Sequence, residues 1–528
     1  MRAFARLIDA LVYTRSRNAK IALIVDYLRV TPDPDRGWAL AALTDAIDLS
    51  AVKSATLRTM AEQRIDPELV AMSRAYVGDT AETVALIWET PDAGPGEDIP
   101  LSEVIAILSA LGRVEAPMVL AGMLDRIEPE SRYALLKLAT GGMRVGVSAR
   151  LAKVAFATAF GVSVDEVDEY WHALAPPYAV LFGWAEGTGD MPDLSETAWF
   201  RPFMLAHPLE EASVSLDDFV AEWKWDGIRI ELVGAASERR LFSRGGDEIS
   251  RAFPEIVEAF DFIGVLDGEL MIRGEAQGNT LVGGEAGSFN ALQQRLGRKT
   301  VTKKMMADYP PFVRLYDVLE AGGRDLRALP WTERRAALES IAASLPADRF
   351  DISSLIAAPD FAALSAIRDS ARDAAIEGVM LKRRDSPYVA GRKTGLWYKW
   401  KRDPLTADCV MMYAQRGNGR RASYYSDYTF GCWTAEGELL PVGKAYSGFS
   451  DEELKWLDRF VRTHTLNRFG PVCEVEKSLV LEVAFDSIHA SKRHKSGLAM
   501  RFPRIKRIRH DKPAGEADQI AALQALVT

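Results

Sequence analysis

The chain has 528 residues, 48% hydrophobic and 26% charged, which suits a globular protein of several domains; no apolar run approaches the length of a membrane span. Three scattered cysteines, Cys409, Cys432 and Cys473, form no CxxC pair, which argues against a zinc site or disulfide framework and for a reducing compartment. The net charge of −9 taken alone argues against a polyanionic partner, but its distribution matters more than its sum.

In chain order, Met1–Lys20 carries Arg2, Arg6, Arg15 and Arg17 with one acid, Asp9. Its apolar positions Phe4, Leu7, Ile8, Leu11 and Val12 continue at helical spacing, so it reads as the first helices of a folded domain rather than a targeting segment. Helical periodicity recurs in Leu101–Leu111, Met118–Leu124 and Arg132–Leu138, and Ser163-x-x-Glu166 has the form of a capping box. A linker is expected at Gly187–Pro192, closing an all-α segment over 1–195. From 196 to 403 short strands alternate with helices such as Trp331–Leu345 and Pro359–Ala374, an α+β domain. From 404 to 528 strands dominate (Asp408–Tyr413, Tyr424–Trp433, Leu479–Phe485), as in a small β-barrel. No internal repeat or low-complexity tract is present.

Glu222-Trp223-Lys224-Trp225-Asp226-Gly227 places a lysine between tryptophans in a strand-like alternation. Apolar neighbours lower a lysine pKa, and a partly neutral lysine is a nucleophile. Taken alone, the same residues are a strand ending in an Asp-Gly turn. Ser243-Arg244-Gly245-Gly246 is a glycine-rich turn that can hold phosphate, though surface turns are commoner. In Leu266-Asp267-Gly268-Glu269-Leu270 the plain expectation is a hairpin turn, and the functional one is Glu269 at a strand start facing a hydroxyl or metal. Glu377-Gly378-Val379-Met380-Leu381-Lys382 puts a carboxylate on the face of Val379 and Leu381 unless a bulge intervenes at Gly378. Lys399 and Lys401 in Trp397-Tyr398-Lys399-Trp400-Lys401 share one strand face, where two ammonium groups call for an anion between them.

Residues 382–403 hold eight Lys/Arg against two acids, and residues 492–512 nine against one. These are two cationic stripes interleaved with aromatics and prolines, as expected of a face that meets polyphosphate.

The order of these motifs resembles that of the covalent nucleotidyltransferases, and in detail the ATP-dependent DNA ligases, over nearly the whole chain. Lys224-Trp225-Asp226-Gly227 is similar to the family's nucleophile motif, and Arg229, five residues on, to its sugar- and phosphate-side arginine. Ser243-Arg244-Gly245, Asp267-Gly268-Glu269, Tyr316-Asp317, Glu377-Gly378 and Lys399/Lys401 follow in family order, and Pro202–Ala206 looks like the ligase lead-in. Arg501-Phe502-Pro503-Arg504 onward, with Ser487–His489 and Ser496–Ala499, resembles the last motif on an oligonucleotide-binding (OB) barrel. Gly142–Ser148 resembles the helical DNA-binding domain that capping enzymes and RNA ligases generally lack. Two positions depart from the family: Lys393, where many relatives have arginine, and Gly246, where many have another residue after the Ser-Arg turn.

The resemblance implies three domains: DNA-binding (1–195), adenylation (196–403) and OB-fold (404–528). It implies that Lys224 takes AMP from ATP, with Lys399 and Lys401 on the α-phosphate and Arg504 and Lys506 orienting pyrophosphate. Glu222 would read adenine, Tyr316 stack on it and Glu269 bind ribose. Arg229 and Arg244 would reach phosphates. Mg²⁺, with Mn²⁺ as the alternative, would sit on Glu377 with Glu269 and Asp226. Arg144, Ser148, Arg244 and Arg501 would meet nicked duplex DNA. A monomer in a bacterial cytoplasm is the expectation, and no protein partner is indicated. The alternatives are an RNA-directed relative (RNA ligase or capping guanylyltransferase) and a catalytically inactive nick-binding clamp.

Overall fold

The computed structural model describes residues 1–528 except 50–51, 90–95, 142, 144, 192, 195, 210–213, 275–291, 297, 299–300, 372–375, 418–422, 492–493 and 528. Two compact units are present: residues 1–51, 95–112 and 137–402, and residues 52–94, 113–136 and 403–528.

The amino-terminal third is helical, as its periodicity predicts. It contains α1 (Arg2–Tyr13), α2 (Arg17–Val30), α3 (Asp35–Leu43), α4 (Ser54–Glu62), α5 (Pro67–Val77), α6 (Thr80–Ile87), α7 (Leu101–Ala110), α8 (Ala116–Arg126), α9 (Pro129–Ala139), α10 (Ala149–Phe160), α11 (Val164–Trp171) and α12 (Ala179–Ala185). Local chemistry sets their ends. The Ser148 hydroxyl accepts from the Leu151 amide to start α10, and Gly161 ends it in the left-handed region at φ +72°.

The first unit continues into two sheets. One has five strands in the order β1 (His207–Pro208), β11 (Trp397–Lys401), β10 (Ile376–Arg383), β2 (Phe219–Trp225) and β9 (Leu355–Ile356). The other runs β4 (Arg239–Ser243), β3 (Ile228–Gly234), β5 (Gly264–Ile272), β6 (Pro311–Ala321) and β7 (Arg324–Asp325), with β8 (Phe350–Ile352) added on β6. The helices that follow in this unit are α13 (Pro254–Ala259), α14 (Lys303–Asp308), α15 (Trp331–Ala342) and α16 (Phe361–Ser370). Strand alternation divides the side chains. In β2, Phe219, Ala221, Trp223 and Trp225 enter a core with Ile376, Val379, Leu381 and Leu364 of α16. In the second sheet, Ile230, Leu232, Leu266, Leu270 and Leu315 pack with Ile256 of α13 and Leu338 of α15. Each such side chain contributes about 1.5–3 kcal/mol of burial. Glu222, Lys224, Lys399 and Lys401 are absent from that first apolar face, and a third cluster between the sheets (Val220, Val233, Val265, Leu319, Trp397) closes one end of the space they face.

The Asp226-Gly227 step joins β2 of one sheet to β3 of the other and so is not a hairpin turn. A methyl on Gly227 would lie 2.5 Å from the Leu270 carbonyl oxygen, so the crossing needs a residue without Cβ. Asp267-Gly268 is also not a turn: it lies within β5, with a bulge between the two residues, and Glu269 is therefore mid-strand rather than at a strand start.

In the second unit, α4 packs with α5, α6 and α8. Its carboxy-terminal strands are β12 (Leu405–Arg416), β13 (Tyr425–Trp433), β14 (Leu439–Ala445), β15 (Thr465–Phe469), β16 (Val472–Val475), β17 (Val480–Phe485), β18 (Ser487–Ala490), β19 (Leu498–Arg501) and β20 (Arg504–Arg509). The long β12 pairs with β13, β16 and β17, and β17 with β20. No ladder among the described residues closes this seven-stranded sheet into a barrel. An amphipathic helix, α17 (Asp451–His464), covers it with Leu457 and Val461, and α18 (Ile520–Gln524) follows near the end.

Candidate active site

The site is built on the inner face of the five-stranded sheet. Lys224 and Lys401 both lie opposite Gly378, from the strands on either side of it, while Glu222 and Lys399 both lie opposite Met380. Register shifts between Ile376 and Gly378, which makes Glu377 the extra residue of a bulge. The bulge turns it away from Val379 and Leu381 and toward the lysines, overriding plain alternation. Its Oε2 lies 2.6 Å from Lys224 Nζ and 3.0 Å from Lys401 Nζ. Burial alone would raise this carboxyl, but the two ammonium groups hold it down at about 2. Gly378 itself, at φ +155°, passes so close to the Trp400 carbonyl that a side chain would collide with it.

The expectation that tryptophans flank the Lys224 amine is corrected. Trp223 and Trp225 belong to the apolar core on the opposite face, and the Lys224 side chain, 23% exposed, faces carboxylate and cations instead. Burial and the neighbouring Arg392, Lys401, Lys224 and Arg244 charges lower the pKa of Lys399.

The second sheet supplies the facing wall. Glu269 Oε1 accepts from the Gly227 amide at 3.2 Å, and the Tyr316 hydroxyl lies 3.5 Å from Oε2. Burial pushes the Glu269 carboxyl up to about 7, against the pull of Lys224 and Arg229. Arg229 is held bidentately by the fully buried Asp267 at 3.0 and 2.7 Å and donates to the Met204 carbonyl at 2.7 Å. Tyr388 donates to the same Asp267 at 2.7 Å, so the arginine is anchored within the protein. At the deep end, Glu222 Oε2 pairs with Lys382 at 3.2 Å, while the buried Oε1 has Arg335 3.7 Å away and accepts no hydrogen bond. Lys382 Nζ also lies 4.7 Å from the Tyr316 ring centre.

The structure thus gathers Glu222, Lys224, Asp226, Arg229, Glu269, Tyr316, Glu377, Lys399 and Lys401 at the two sheets of one unit. Arg244 stands exposed on its turn, close enough for its charge to act on Lys399. Ser148 is a helix cap. Arg144 lies outside the described residues. Arg504 and Lys506 belong to the other unit, where they pair with Asp486 at 3.0 Å and Glu482 at 2.8 Å; Arg501 lies over Phe502 there. Sequence reading missed Asp267 and Tyr388 as anchors of Arg229, and Arg335 beside Glu222. The only local signal was that an arginine flanked by apolar strand residues needs a buried acid.

Residues 203–401 match the family model described as ATP dependent DNA ligase domain, and residues 421–512 the one described as ATP dependent DNA ligase C terminal region. A protein of Koribacter versatilis named "Probable DNA ligase" is 31% identical, the alignment covering 98% of this chain and 95% of that one. The chain belongs to the ATP-dependent DNA ligases. A Beutenbergia cavernae protein named "Probable DNA ligase" is 32% identical to this ligase over 98% of each chain. "DNA ligase 1" of Korarchaeum cryptofilum is 28% identical over 100% of this chain and 98% of its own. Among solved structures, Pmar-Lig_Pre shares the fold at a TM-score of 0.63 and 16% identity, covering 96% of this ligase and 99% of its own chain.

Proposed function

We propose that Lys224 is the residue through which this ATP-dependent DNA ligase carries AMP from ATP to nicked duplex DNA. The observation that supports the reading is the convergence of Lys224, Glu377, Lys399 and Lys401 on one sheet face. The Lys224 nitrogen would bond to the α-phosphorus of ATP as the bond to pyrophosphate breaks. A 5′-phosphate oxygen at the nick would then take the AMP from Lys224, and the 3′-hydroxyl would displace it to seal the strand. Such transfers depend mainly on positioning and charge neutralisation. Lys399 and Lys401 would hold the α-phosphate. Glu269, kept from full ionisation near pH 7, would meet the ribose, and the Tyr316 ring the base. The orphaned Glu222 Oε1 suits an exocyclic purine amine, which would satisfy a buried acceptor.

Mg²⁺ fits the residues present. Glu377 is ionised and paired with the Lys224 and Lys401 ammonium groups, and Glu269 and Asp226 are the further candidates. Among the described residues no cluster of three or more His, Cys, Asp or Glu gathers, but Mg²⁺ commonly takes one or two carboxylates and completes its shell with water and phosphate. Bound there, it would neutralise phosphate charge. Glu377 holds Lys224 in place before reaction, and the bulge sets that distance.

Residues 1–195, 196–403 and 404–528 would act as DNA-binding, adenylation and OB-fold domains, with Arg504 and Lys506 brought to pyrophosphate by movement of the last. Ser148, Arg144, Arg244 and Arg501 would contact the duplex backbone, largely without sequence preference. The ligase would work as a monomer in the bacterial cytoplasm; no described helix is long and apolar enough to cross a membrane.

Lys224→Ala tests the assignment: nicked-DNA binding measured by gel shift should survive while sealing is lost. Loss of both would contradict a role confined to chemistry.

A further inference from the structure

The Ser243–Gly246 turn ends on a glycine, and the structure supplies a reason for it. Gly246 has φ +85°, and a methyl on it would lie 2.5 Å from His172 Cε1 and within contact of Nδ1. His172, just past α11, packs edge-on against Phe200 at 4.8 Å between ring centres and so fills the space a side chain at 246 would occupy. Its Nε2 lies 3.4 Å from Lys153 Nζ. An ammonium only donates, so Nε2 is the accepting nitrogen and the ring proton sits on Nδ1. Burial, with the Lys153 charge, holds the imidazole down at about 4, so it is neutral under working conditions. Lys153 is itself buried and paired with Asp168 at 2.6 Å, and Asp168 also takes Arg150 at 2.6 Å. Lys153 and Arg150 belong to α10, the helix that Ser148 caps.

One relay therefore runs from Arg150 at the start of α10 through Asp168, Lys153 and His172 to the turn that carries Arg244. We propose that His172 is a positioning residue that fixes the Arg244 turn relative to the first turn of α10, setting the spacing of two DNA-contacting elements. The proposal rests on the reading that Arg244 meets the nicked duplex. The helix is held independently of His172: Arg327 bridges Glu169 at 2.9 Å and Asp325 at 2.8 Å, and Tyr170 stacks on Trp199. Removing the imidazole thus frees the turn without detaching α11.

The test measures two rates on the full-length ligase: self-adenylylation with labelled ATP, and sealing as a function of nicked-duplex concentration. His172→Ala should adenylylate at the wild-type rate while KM for nicked DNA rises roughly three- to tenfold, and His172→Gln, which keeps an acceptor for Lys153, should recover most of the loss. Gly246→Ala should impair sealing by itself, and His172→Ala in the same chain should relieve part of that defect, since it removes the colliding ring. A wild-type KM in His172→Ala overturns the proposal. So does a fall of adenylylation in step with sealing, which a role confined to folding would give. Arg244→Ala is the control: if sealing is unchanged in it, the underlying reading of Arg244 fails, whereas a defect there with none in His172→Ala refutes the relay alone.

Discussion

The two glutamates nearest Lys224 are driven in opposite directions by their surroundings, and this gives the site a pH signature. Glu269 lies above the ordinary glutamate value of 4.5, at about 7, because burial disfavours its charge. Its folded form holds the proton better than its unfolded form, so its contribution to stability is full below pH 4.5 and is lost as pH rises to 7. Glu377, held at about 2 by Lys224 and Lys401, has the reverse sign: its contribution is full above pH 4.5 and is lost as pH falls toward 2. Thermal melts should therefore show Glu269→Gln matching wild type near pH 4.5 and exceeding it above pH 7. Glu377→Gln should melt below wild type at pH 7 and approach it as pH falls. Equal melting shifts at all pH values would contradict these charge states. Asp267 is a third case. Asp267→Asn leaves the Arg229 guanidinium without its buried counter-charge, which should cost about 3–5 kcal/mol by denaturant titration.

At the scale of elements, glycines and caps decide the local geometry. A methyl at Gly378 meets the Trp400 carbonyl, so Gly378→Ala should displace Glu377 and reduce adenylylation more than it reduces stability, measured by labelling and melting side by side. Ser450 and Glu453 form a reciprocal capping box at the start of α17, and Ser450→Ala should cost about 1 kcal/mol in unfolding of the unit that contains it. That helix shows what the sequence withheld and why. Its signal, Ser450-x-x-Glu453 followed by Leu454, Leu457 and Val461, is present, but it stands alone among strongly β-patterned segments. The amino-terminal helices, by contrast, were legible because helical periodicity recurs there from one segment to the next. Both Asp-Gly pairs read as hairpin turns because that dipeptide has a strong local preference. Here the tertiary structure uses one to change sheets and the other as a mid-strand bulge. The residues that the two sheets bring together stand out in the sequence by order and spacing, yet the side to which Glu377 points depended on a bulge that alternation cannot supply. The partners of Arg229, Asp267 and Tyr388, lie 38 and 159 residues away in sequence, beyond the reach of any local pattern.

For the whole molecule, a net charge of −9 coexists with cationic stripes over 382–403 and 492–512. Binding to nicked duplex should weaken steeply with salt, and Arg501→Ala should reduce the slope of log K against log salt by about one. An unchanged slope would remove Arg501 from the DNA contacts. The role of Lys224 is tested most directly by following AMP through one catalytic cycle. Wild type and Lys224→Ala are incubated with α-labelled ATP and Mg²⁺, denatured and resolved, with nicked duplex added to a second portion before denaturation. Label is expected on the wild-type chain alone, lost from it when nicked DNA is added. Label retained by Lys224→Ala, or label on the wild type that nicked DNA does not remove, would contradict it.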